Sequence, residues 1–138
     1  MIISASRRTD IPAFYSQWSM NRIRQGSCVV VNPFNSSQRY CVGLTSDAID
    51  AIVFWSKNPA PLLPHLGELD DMGYRYYFQL TICNYSRDIE QYLPPLSERI
   101  ATAVELARRI GPRRVIWRYN PIIISNRTDA QFHRRQFD

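Results

Sequence analysis

Short apolar runs recur along this chain, each closed by a polar or proline-bearing turn and most followed by a stretch with helical spacing. That rhythm restricts the fold to alternating strand and helix units. The strand-like runs are Met1–Ala5, Cys28–Asn32, Ala51–Trp55, Tyr76–Ile82 and Arg114–Tyr119. Between them, a helix is expected from Pro12 to Gly26, with Phe14, Trp18 and Ile23 near one face. A second runs from about Pro61 to Met72, presenting Leu62, Leu63, Leu66 and Leu69. The clearest, Ser97–Ile110, sets Ile100, Ala103, Val104, Ala107 and Ile110 on one side and stops at Gly111-Pro112. Arg39–Leu44 alternates and reads as a small excursion paired with the second strand, and Thr128 reads as the cap of a last helix.

Strands apolar on both faces and separated by helices belong to parallel sheets with right-handed crossovers. No glycine-rich phosphate loop follows any strand, whereas every strand end carries polar residues, and this favours a barrel over a doubly wound sheet. The expectation is a partial (β/α) TIM-like barrel of about five parallel strands, a single domain over residues 1–138. That is roughly half to two thirds of an eight-fold barrel, which needs about 250 residues. The chain stops at "QFHRRQFD", within the first turns of a helix and with Phe132 and Phe137 uncovered, so it reads as truncated.

Purely apolar runs such as Cys28–Val31 and Ile122–Ile124 fall far short of the roughly 20 residues that cross a bilayer. No basic-then-apolar leader precedes Ile2, so a cytoplasmic protein without a membrane partner is expected. Cys28, Cys41 and Cys83 show no C-x-x-C spacing and read as reduced core thiols, leaving no metal site to assign. Sixteen of the seventeen basic residues are arginine, Lys57 is the only lysine, and the net charge is +5. Arginine forks suit phosphate and carboxylate, so a small anionic ligand or nucleic acid is the natural partner class.

In parallel α/β folds the carboxyl ends of the strands share one rim. The segment "SASRRTD" delivers Arg7, Arg8 and Asp10 there; later strands deliver Asn32, then Lys57 and Asn58, and finally Arg118, Tyr119 and Asn120. Asp10, Lys57 and Arg118 are the candidate catalytic residues, with Asp10 as a general base or as a carboxylate that orients arginine. Arg7, Arg8, Asn32, Asn58, Tyr119 and Asn120 are the candidate substrate contacts. Arg118 stands between Trp117 and Tyr119 in an apolar strand, where an uncompensated charge costs several kcal/mol, about what a buried ion loses in hydration. His65 and His133 fall on helices away from this rim and read as packing or surface. Nucleic-acid binding without catalysis, or an oligomeric scaffold whose open sheet edges meet another copy, are the alternatives.

The segments "IISASRRTDIPAFY", "NPFN", "IVFWSKNP", "YYFQLTI" and "RVIWRYNPI" together resemble a bacterial and archaeal family catalogued as domain of unknown function 1848. The likeness runs in order over essentially the whole chain. It implies a barrel similar to radical S-adenosylmethionine enzymes, of which this chain corresponds to the amino-terminal half. It also implies an iron–sulfur cluster and S-adenosylmethionine in the full-length form, on a carboxyl-terminal cysteine motif absent here. This chain is then expected to hold no cofactor and to lack turnover alone. Arg7, Arg8, Asp10, Lys57 and Arg118 lie inside the matching segments, and the position of Asn120 is often aspartate in the family.

Overall fold

The computed structural model describes residues 1–5 and 8–137. The strands are β1 (Ile2–Ala5), β2 (Ser27–Asn32), β3 (Asn35–Gly43), β4 (Ala51–Ser56), β5 (Tyr76–Thr81) and β6 (Val115–Arg118). The helices are α1 (Ile11–Phe14), α2 (Ser16–Arg24), α3 (Leu66–Asp71), α4 (Leu96–Ile110) and α5 (Ala130–Arg134), with short 3-10 turns over Ala60–His65 and Pro112–Arg114.

Four strands form one parallel sheet in the order β1-β4-β5-β6. Ala5 stands beside Phe54, Ser56 beside Leu80, and Thr81 beside Arg118, so all four carboxyl ends lie at one margin. Side chains alternate across a strand. One parity places Ile3, Ala5, Ile52, Phe54, Tyr76, Phe78, Leu80 and Val115 against Met20 and Ile23 of α2, the leucines of the 3-10 turn and α3, and Leu106 and Ile110 of α4. Phe54 and Phe78 sit 5.0 Å apart at the centre of this core. The other parity, Ser4, Val53, Trp55, Tyr77, Gln79, Thr81, Ile116 and Arg118, faces away from every helix of the core. The fold is thus mixed α/β, wound in one direction with its helices on one face.

The expected five parallel strands are four. Cys28–Asn32 pairs antiparallel with β3 in a separate hairpin instead of joining the sheet. The reason is local: Asn32 Oδ1 accepts the Phe34 N–H at 2.9 Å, a turn that sends the chain straight back. The valines of β2 mimic a doubly covered strand in sequence, yet Val29 is 60% exposed. The expected pairing of Arg39–Leu44 with this strand is observed.

Several helices also differ from expectation, the one expected from about Pro61 to Met72 being a 3-10 turn followed by α3. The Pro12–Gly26 helix breaks at Tyr15, which leaves Phe14 and Trp18 exposed while Met20 and Ile23 enter the core. On α4 the inward stripe is Arg99, Ala103, Leu106 and Ile110, rotated from the expected face, so that Ile100 and Val104 are exposed. The rotation brings a guanidinium inward because carboxylate and carbonyl partners await it. The last helix is capped by Asp129, whose carboxylate accepts the Phe132 N–H at 2.7 Å; the Thr128 hydroxyl donates instead to the Ile123 carbonyl. No described helix is long and apolar enough to cross a membrane.

Candidate functional site

Asp10 ties the first rim loop to the end of β4. Its Oδ1 accepts the Ala13 N–H at 3.0 Å, capping α1, and its Oδ2 accepts the Lys57 N–H at 2.7 Å. The buried Ser56 hydroxyl donates to the same carboxylate at 2.8 Å and accepts the Asn58 N–H at 3.0 Å. With these donors engaged, Asp10 acts as a brace for two loops. It forms no ion pair with Arg8, whose guanidinium donates to the Val31 carbonyl at 3.3 Å and draws the hairpin toward the rim.

Lys57 sends its ammonium to Glu90, with Nζ 2.6 Å from Oε1. Glu90 is buried in the segment after β5, and its second oxygen meets Arg99 Nη1 at 3.3 Å. Arg99, 5% exposed, also donates to the Cys83 carbonyl at 3.0 Å. A buried carboxylate shared by two cations is held by charge on both sides. The positive charge of Lys57 is therefore already committed.

Arg118 is arranged differently. Its guanidinium lies across β5, 4.3 Å from the centre of the Trp55 ring on the helix-free face, and Trp55 Nε1 donates to Ser4 Oγ at 3.1 Å. A cation over an indole face within about 6 Å is attracted by the ring quadrupole. Among the described residues no carboxylate pairs with Arg118. The stack leaves its N–H fork without an anionic partner among the described residues.

The other candidates are spent locally. Asn32 bridges its hairpin to Gln38 at 2.7 Å, and Asn58 Oδ1 accepts the Ala60 N–H at 3.3 Å. Asn120 presents its carbonyl to the Cys83 thiol and precedes a cis peptide bond to Pro121. Tyr119 meets His133 Nδ1 at 2.6 Å, while His133 Nε2 lies 2.9 Å from the Ile123 carbonyl. That carbonyl can only accept, so Nε2 carries a proton, and in the neutral imidazole the Tyr119 hydroxyl donates to Nδ1. His133, expected away from the rim, is thus a buried anchor for a rim residue. Arg7 lies outside the described residues.

Burial pushes the Tyr119 hydroxyl up to about 12, with Tyr85 and Cys83 adding to the effect. Burial likewise raises the Cys83 thiol. Neither group is suited to act as an anion at neutral pH. Cys28 and Cys41 point to opposite faces of the hairpin, as their registers with Val42 and Val29 require, and Cys83 lies buried in the segment after β5. The three thiols therefore do not fit a shared iron–sulfur cluster, and among the described residues no group of three or more His, Cys, Asp or Glu side chains is placed to hold a metal.

The motifs along these strands match, over residues 2–138, the family described as Domain of unknown function (DUF1848). The chain belongs to that family. No curated protein and no solved structure matches it. In this DUF1848 chain, Asp10, Lys57 and Arg118 come to one sheet margin, whereas Asn32 and Tyr119 are held by local partners. Glu90 and Arg99, which join the candidate site through Lys57, are residues that sequence reasoning missed. Their signal was Arg99 at the head of the spacing Arg99, Ala103, Leu106 and Ile110, a charge on an apolar stripe.

Proposed function

We propose that this chain forms one side of a barrel-type mouth that binds a small anion, a carboxylate or a phosphate, through Arg118. The observation that carries this reading is the Arg118 guanidinium stacked on Trp55 with no carboxylate partner among the described residues. Stacking fixes the plane of the fork, so less freedom is lost when a bidentate anion docks. Asp10 and Ser56 position the loop that carries Lys57, and Glu90 restrains the lysine beside the mouth. The barrel is supported by the winding: strands in chain order, all parallel, with the helices of the core on one face, as in a (β/α) barrel and without the reversal of a doubly wound sheet.

The resemblance to radical S-adenosylmethionine enzymes puts the cluster ligands on a motif outside these residues, so the reading for the residues present is one of binding. Titration calorimetry with inorganic phosphate and with malonate tests it. Arg118→Ala weakens binding about tenfold, equivalent to about 1.4 kcal/mol; Lys57→Ala, whose charge already belongs to Glu90, weakens it less. Unchanged affinity in Arg118→Ala overturns the reading. A nucleic-acid site instead predicts tight binding of a single-stranded oligonucleotide that falls steeply with salt.

A further inference from the structure

Arg118 reaches Trp55 by passing over β5, because that strand lies between β4 and β6 in the sheet. The β5 residues beneath it are fixed by register: Trp55 stands beside Gln79 and Arg118 beside Thr81, all four on the helix-free parity. Neighbouring strands are about 4.8 Å apart, so the guanidinium lies over the span between Gln79 and Thr81. Both are half-buried, and neither the Gln79 amide nor the Thr81 hydroxyl makes a hydrogen bond among the described residues. Side-chain amides and hydroxyls left unpaired by their own chain are available to a bound molecule.

We infer that the anion held by Arg118 is a small hydroxycarboxylate, whose carboxylate takes the guanidinium fork and whose neighbouring hydroxyl donates to the side-chain carbonyl of Gln79. One cation free of a carboxylate partner balances one negative charge, and its flat fork matches a flat carboxylate. Gln79 and Thr81 both accept as well as donate, so they favour a ligand that brings a donor of its own. That donor is a hydroxyl and not an ammonium, because Asp10 and Glu90, the carboxylates described at this margin, are already engaged. The inference rests on the proposed anion site and adds Gln79 to it as the residue that sets specificity.

Nuclear magnetic resonance titrations of this chain with lactate, propionate and alanine test it, since lactate differs from propionate by the hydroxyl alone and alanine carries an ammonium in its place. The better enantiomer of lactate is expected to bind about tenfold more tightly than propionate, the size of one net hydrogen bond. Alanine is expected to bind no more tightly than propionate. Gln79→Met, which keeps the length of the side chain and removes its polar group, abolishes the lactate preference and leaves propionate affinity unchanged. If Gln79→Met fails to fold, the order of the three ligands on the unaltered chain decides alone. Equal affinity for lactate and propionate, tighter binding of alanine, or a preference that survives in Gln79→Met overturns the inference and leaves the anion site standing. Propionate binding indifferent to Arg118→Ala overturns both. Absence of lactate binding also overturns the inference, and the phosphate titration of Arg118→Ala then shows whether the anion site falls with it.

Discussion

Glu90 carries more of the site's integrity than any residue chosen from the rim motifs, because it is the one carboxylate between Lys57 and the buried Arg99. Removing one partner of a buried pair strands the other charge. Glu90→Gln is expected to lower stability in urea unfolding by about 3 kcal/mol, within the range for a broken buried pair. The same change in an Arg99→Met background costs much less, and equal costs in both backgrounds would refute the shared-carboxylate account. Tyr119 gives a pH signature. Its folded-state value, about 12 against an ordinary 10.0, means the unfolded chain loses this proton first as pH rises. The contribution is intact below pH 10 and is lost as pH climbs toward 12. Thermal melts across that window should show a decline that Tyr119→Phe reduces; equal slopes for both proteins would contradict it.

Among the elements, α4 shows how much the sequence made legible and where it fell short. Its existence and its stop at Gly111 follow from spacing and from the positive φ of 89° that glycine supplies. Which face turns inward did not follow, because apolar residues on two adjacent stripes compete and only partners outside the helix, Glu90 and the Cys83 carbonyl, favour the one bearing Arg99. The core face is measurable. Leu106→Ala is expected to cost about 3 kcal/mol, as for a fully buried leucine, and Val104→Ala under about 0.5 kcal/mol, as for an exposed position. A reversed order would restore the expected stripe. The β2 valines misled for a related reason: a hairpin with one poorly covered face and a strand buried on both faces share a composition, and only pairing separates them.

For the whole molecule, one-directional winding accounts for the separation of labour across the sheet. Helices on one face leave the other parity to build a polar and aromatic surface, and parallel pairing brings the ends of β1, β4, β5 and β6 to a common margin. Strand type and rim position were readable from the apolar runs and the residues that close them; the stack of Arg118 on Trp55 was not, since it crosses an intervening strand. Nitrogen-15 spectroscopy of the arginine Nε–H groups during a phosphate titration tests the central claim most directly. The account predicts a saturable shift of the Arg118 signal while Arg24, paired with Glu68 at 2.6 Å, stays still. An Arg118 signal that does not move while phosphate binds elsewhere would contradict it.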